Sequence, residues 1–201
     1  MTRTLAVLIS VVSSQSHTPE KHFTFNNVVD VGSISQDELM LPELRFRALA
    51  ARGEREITLR IDSFGGSIFG GARFIRTLED VKKSKGVTVH CVVDGAAMSM
   101  AAVLLESPLC DTRHATSRSV ILFHNGHSQA EGTAEELREA ARFLGSLNQA
   151  MSLVVAARIC MDVDAYRERI AGRDWVMAVT EALSVNVIDG IVSPNEIASP
   201  E

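Results

Sequence analysis

The sequence predicts an α/β domain built on a largely parallel sheet, and three observations carry that prediction. Ile57, Leu59 and Ile61 alternate with Thr58, Arg60 and Asp62, and Val87, Val89, Cys91 and Val93 repeat the two-residue period. Ser119-Val120-Ile121-Leu122-Phe123 forms a third short apolar run. Helical runs separate or follow these strands, and strands alternating with helices form βαβ units.

The 201 residues suffice for one domain with a sizeable core. Between residues 23 and 192 there is no linker, repeat or low-complexity run, so the chain reads as a single domain, 1–201. Its N-terminal run Leu5 to Val12, after Arg3, fits either a short signal peptide or a buried strand, and the interruption at Ser10 favours the strand. "SSQSHTPEKH", residues 13–22, reads as a loop. After the strand ending at Ile61, Gly65-Gly66 opens a helix carrying Ile68, Ala72, Ile75 and Leu78. The strand from Val87 is expected to end at Gly95, and a short apolar helix to start near Ser99. A long helix from about Thr133 to Cys160 carries Leu137, Ala141, Leu144, Asn148, Met151 and Val155 at helical spacing. Ser193 onward reads as a loose tail.

Composition excludes some function classes. The net charge of −5 leaves no broad basic surface for nucleic acid, and Lys82, Lys83 and Lys85 read as a solvated helix end. No apolar run reaches the roughly 18 residues that span a bilayer. Cys91, Cys110 and Cys160 are odd in number and far apart, which argues against a disulfide framework or a zinc site and for a reducing, cytoplasmic compartment.

Three points stand at the ends of successive strands: Gly65-Gly66, Ser99 and His124. In α/β sheets ligands bind at that edge. Ser99, in "VDGAAMSMAA", is either a nucleophile held up by a strand-to-helix turn or the cap of the helix beginning at Met100. A serine needs a base. Of the six histidines, His124 ends an apolar strand and emerges at the same edge as Ser99. His124 and His127 also have HxxH spacing, but no helix underlies them to form a metal pair. A carboxylate should orient the imidazole. The residues leave Asp162, Asp164, Asp174 and Asp189 open: the first two look like helix caps, Asp174 precedes a core-facing segment, and Asp189 sits in a turn.

Taken together these segments resemble the proteolytic subunit of the Clp protease family. The residues that carry the resemblance are Ile61-Asp62-Ser63-Phe64-Gly65-Gly66, Gly95-Ala96-Ala97-Met98-Ser99-Met100, Ser117-Arg118 through His124, and Arg173-Asp174 with Glu181-Ala182 and Ile188-Asp189. They run in family order over about Gly32 to Val192 and are most like the phage and prophage Clp-like proteases. The resemblance implies the ClpP/crotonase fold with the long helix as a protruding handle, and serine endopeptidase activity without metal or cofactor. It implies a triad of Ser99, His124 and Asp174, with the amides of Gly66 and Met100 as oxyanion hole. It also implies peptide or unfolded-protein substrates, a homo-oligomeric ring that stacks in pairs, and an AAA+ ATPase partner.

The chain departs from the family at Phe64, where a proline is usual, at Asn125-Gly126 in place of Gln-Pro, and over residues 1–30. The competing readings are a crotonase-type acyl-CoA enzyme, a non-catalytic ring subunit, and a Ser/Lys dyad using Lys82, Lys83 or Lys85.

Overall fold

A computed structural model describes residues 24–199. The segments 3–12 and 13–22, read above as a strand and a loop, lie outside the described residues.

The element order is β1 (Val28–Val31), α1 (Met40–Arg52), β2 (Glu56–Ser63), α2 (Ile68–Lys85), β3 (Thr88–Met98), α3 (Met100–Leu105), β4 (Thr112–Thr116) and β5 (Val120–Phe123). It continues with α4 (Ala134–Arg158), α5 (Val163–Ile170), β6 (Trp175–Ala178), α6 (Val179–Ser184) and β7 (Gly190–Val192). The strands form one sheet in the order β1-β2-β3-β4-β7, parallel throughout, and β5 joins β3 in parallel and β6 in antiparallel fashion. The α/β class and the mostly parallel sheet are as the sequence predicts. Fully buried Ile57, Leu59, Ile61, Val89, Cys91 and Val93 from the alternating strands meet Phe74 and Leu78 of α2 and Leu104 and Leu105 of α3 in one core.

β3 does not end at Gly95. It runs on to Met98, and it forks: His90 to Val93 pair with β4, whereas Ala96 to Met98 pair with β5. The fork turns on Gly95 at φ +126, a region that side chains rarely enter. Three side-chain hydrogen bonds fix it. Asp62 Oδ1 accepts from the Ala96 amide at 3.0 Å. Ser119 Oγ accepts from the Gly95 amide at 3.2 Å and donates to Val93 O at 2.8 Å. A Cβ on Gly95 would sit 2.3 Å from the Asp62 carboxylate, so glycine is needed for space as well as torsion.

Two further readings are corrected, the cysteines and the C-terminal tail, and one strand is added. Cys91 and Cys110 are bonded as a disulfide, both buried, and Cys160 is free and exposed. The pair links β3 to the loop before β4; neither cysteine has a motif in sequence, because the fold alone brings them together. Thr112–Thr116, a segment without apolar alternation in the sequence, forms β4, with Arg113, His114 and Thr116 buried. The C-terminal segment begins with a 3-10 turn at Pro194–Glu196, closed by a Ser193/Glu196 capping box, and Ile197 bridges to Phe25.

α4 matches the predicted handle, with Thr133 and Glu136 forming a capping box at its start. Most of its length is exposed, and only Ser152, Val155 and Ala156 are fully buried. Its stripe of Leu144, Met151 and Val155 faces the chain's own body; the large apolar side chains left exposed on it are Leu137, Phe143 and Leu153.

Arg113 ties the far branch of the fork. It bonds Glu106 at the end of α3 and Asp189 ahead of β7, each at 2.6 Å. Burial pushes the Glu106 carboxyl from 4.5 up to about 8, with Arg113 pulling the other way. Between those pH values the folded chain keeps a proton that the unfolded chain has released. The stability this group provides is therefore full below about 4.5 and is lost as pH rises towards 8. Glu106→Gln removes that loss. The wild-type melting temperature should fall relative to Glu106→Gln between pH 5 and 8, and a gap that stays constant over that range contradicts the assignment.

Candidate active site

The turn after β3 is the strained point of the chain. Ser99 adopts φ 55, ψ −123, a conformation glycine favours. Its amide donates to Leu122 O of β5 at 2.9 Å, which fastens the turn to the neighbouring strand. Ser99 occupies the N-cap position of α3, yet its side chain makes no capping hydrogen bond. The cap reading of the sequence is therefore not met: the hydroxyl is left half-buried at the head of a short helix, with no backbone partner among the described residues.

Strand register brings the other residues to it. Met98 pairs with Leu122 across β3 and β5, so the next residues, Ser99 and Phe123, stand side by side and His124 follows. Phe123 pairs with Trp175 across β5 and β6, so His124 and Asp174, one step beyond, face each other. His124 Nδ1 lies 3.9 Å from Asp174 Oδ1. That is within ion-pair reach and too long for a hydrogen bond. No hydrogen bond joins the Ser99 hydroxyl to His124 among the described residues, and catalytic contacts in unliganded sites are commonly this loose. The Asp174 side chain is more than half exposed and the His124 ring mostly covered.

The other carboxylates considered above have different work. Asp162 caps α5, accepting from the amides of Asp164 and Ala165. Asp164 pairs with Arg167, and Asp189 is held by Arg113.

Gly65 presses against the serine turn and Gly66 against Ile34. A Cβ on Gly65 would come within 2.7 Å of Ser99 Cβ and 3.1 Å of the Met100 amide, and one on Gly66 within 2.3 Å of Ile34 O. Ile34 holds this loop by accepting from the Ser67 amide and donating to Gly65 O. The Gly66 amide between those two bonds has no backbone acceptor among the described residues. Gly66 and Met100, the two amides expected to form an anion hole, thus lie on adjoining turns beside Ser99. Phe64 points outward and is 80% exposed, so it does not crowd the loop.

Ser99 and His124 open on one narrow cavity of about 30 Å³. Its walls are mostly apolar, from Ile68, Val103, Phe123, Met151 and Ile170. Tyr166 also lines it, its phenol pushed up chiefly by burial, so it serves as no base at neutral pH. Among the described residues no group of three or more histidines, cysteines and carboxylates is placed to hold a metal ion. Lys82 is engaged with Asp111 and with the carbonyls of Pro108 and Leu109, which removes it as partner of a Ser/Lys dyad.

The Clp protease family profile matches residues 35–195. The chain belongs to the Clp protease family. It is 28% identical over 144 residues to the ATP-dependent Clp protease proteolytic subunit 2 of Synechococcus sp. (strain CC9605), a match covering 72% of this chain and 71% of that one. As a Clp protease the chain is a hydrolase of peptide bonds, and its mixed sheet and handle fit the family's fold. No single helix among the described residues is long and apolar enough to cross a membrane.

Two contributors escaped the sequence reading. Ser119 pins the fork, and its signal was only a serine at the start of an apolar run. Asn148 lines the cavity from α4, and its signal was a polar residue on an apolar stripe.

The strain at Ser99 gives a test. With no cap bond to lose, Ser99→Ala should leave stability within about 0.5 kcal/mol of wild type. Ser99→Gly should be more stable than Ser99→Ala by about 1 kcal/mol, because glycine relieves the positive φ. Urea unfolding that shows Ser99→Ala about 1 kcal/mol below wild type, with no gain in Ser99→Gly, would restore the cap.

Proposed function

We propose that the chain is a serine endopeptidase in which Ser99 is the nucleophile, His124 the general base and acid, and Asp174 the carboxylate that orients the imidazole. The observation that carries this reading is the uncapped Ser99 on a strained turn, with His124 and Asp174 set beside it by the β3–β5–β6 register. Ser99 Oγ attacks the peptide carbonyl as His124 accepts its proton. The carbonyl oxygen gathers negative charge facing the amides of Gly66 and Met100, where each such donor contributes roughly 3–4 kcal/mol. His124 then gives the proton to the departing amine, leaving an acyl-enzyme on Ser99. Water, deprotonated by His124, releases the acid and restores the hydroxyl. The apolar walls beside Ser99 favour an apolar P1 side chain, for which the narrow cavity has to widen.

The remainder of the reading concerns assembly. A homo-oligomeric ring, stacked in pairs through α4, accounts for the exposed Leu137, Phe143 and Leu153, and for Met40, Leu41 and Leu44 exposed on or at the start of α1. An AAA+ ATPase partner is what the family resemblance implies, and the words "ATP-dependent" in the relative's printed name support it. A cytoplasmic location belongs to the same reading, and the Cys91–Cys110 bond speaks for a more oxidising one. The 3.9 Å gap between His124 and Asp174 favours one alternative, a ring subunit that keeps the fold without turnover.

Peptide turnover separates the two. Ser99→Ala and His124→Ala should each abolish nearly all cleavage of an apolar-P1 peptide, and the double variant should be little worse than either. Asp174→Asn should reduce kcat strongly with the fold intact. Undiminished cleavage by Ser99→Ala removes the nucleophile assignment, and a wild type inert to every peptide favours the non-catalytic subunit. A monomer by light scattering at micromolar concentration contradicts the ring.

A further inference from the structure

Asn148 stands where the handle helix should be apolar. It falls between Leu144 and Met151 on the stripe that faces the body of the chain, deep inside α4. Asparagine is a poor helix-interior residue, because its side chain competes for backbone hydrogen bonds. Here both ends of the carboxamide go to one distant partner. Asn148 Oδ1 accepts from the Gly126 amide at 2.8 Å, and Asn148 Nδ2 donates to Gly126 O at 3.4 Å. The contact is close-fitting: a Cβ on Gly126 would lie 3.1 Å from Asn148 Oδ1 and 3.0 Å from Ile68 Cδ1.

Gly126 is two residues past His124. The residue between them, Asn125, donates from Nδ2 to Ile170 O at the end of α5, at 3.2 Å. The segment leaving His124 is thus held at two successive residues, Asn125 by its side chain to α5 and Gly126 by its backbone to α4. The His124 ring has weaker restraints of its own, Asp174 at 3.9 Å and the His127 ring with centroids 6.0 Å apart. Asn148, Gly126, His124 and Ser99 line one cavity.

We propose that Asn148 is a positioning residue: by clamping Gly126 to the handle it fixes the segment that follows His124, and with it the direction of the imidazole towards Ser99. The proposal rests on the reading of His124 as the base. It needs little movement to matter, since a misplacement of about 1 Å costs on the order of a hundredfold in rate. It also ties the segment after His124 to α4.

The test uses the full chain as wild type, Asn148→Asp, Asn148→Leu and Asn148→Ser. Aspartate keeps the acceptor for the Gly126 amide. Leucine keeps the size and removes both bonds, and serine is too short to reach, which covers the case of a leucine variant that fails to fold. The first readout is the 13Cε1 NMR signal of His124 in histidine-labelled protein, assigned among the six histidines by its loss in His124→Gln. The second is the rate at which a fluorophosphonate labels Ser99, normalised to the folded fraction. Asn148→Leu and Asn148→Ser should shift or split the His124 signal and slow labelling about tenfold or more, while Asn148→Asp keeps one signal and a rate within about threefold of wild type. An unmoved His124 signal in a folded Asn148→Leu or Asn148→Ser overturns the proposal. So does slowing that only tracks the folded fraction. If the wild type itself is not labelled, the serine-protease reading fails, and the NMR comparison still decides whether Asn148 positions His124.

Discussion

The structure depends on one constraint, the forking of β3 at Gly95. A parallel sheet keeps neighbouring strands in register over their whole length. Here one strand must pair with β4 along its first half and with β5 along its second. Only glycine serves at the pivot, both for its φ of +126 and because the Asp62 carboxylate occupies the space of a side chain. The polar groups freed by the fork are taken up by Asp62 and Ser119, so little hydrogen-bonding capacity is lost where the ladder divides.

Each branch has its own brace. The β4 branch is tied by the Cys91–Cys110 bond and by Arg113 between Glu106 and Asp189. The β5 branch is tied by Ser99 N to Leu122 O, by the antiparallel pairing with β6, and by the contacts of Asn125 and Gly126 with α5 and α4. The second set of braces carries Ser99, His124 and Asp174, the three residues proposed as the triad. The serine turn, the histidine and the aspartate sit on three neighbouring strands, so their mutual placement follows from backbone pairing rather than from long-range contacts between side chains. That arrangement suits chemistry in which the geometry must be set before the substrate arrives.

Much of this was legible in the sequence. The period of two in residues 57–61 and 87–93 gave away β2 and the first half of β3, because the alternating residues are the buried ones. Ser99 could be picked out as a lone hydroxyl among small and apolar residues just after a glycine, and His124 because it ends an apolar run. What lay hidden depended on partners distant in the chain. The second half of β3 looks like turn sequence, "GAAM", and becomes strand only because β5 and Asp62 supply its hydrogen bonds. β4, with its Arg113 and His114, reads as polar until the buried partners of Arg113 are known. Cys91 and Cys110 show no spacing motif. Asp174 could not be chosen from the residues alone, since its claim rests on the Phe123–Trp175 pairing and on the family resemblance.

The central claim is that this fork delivers an activated hydroxyl at Ser99. Peptide mapping by mass spectrometry after exposure to a fluorophosphonate tests it most directly. The account predicts a single phosphonyl adduct on the peptide containing Ser99 in the wild type, and its disappearance in His124→Ala, where Ser99 is present but has no base. An adduct on another residue, or one on Ser99 that persists undiminished in His124→Ala, would contradict it.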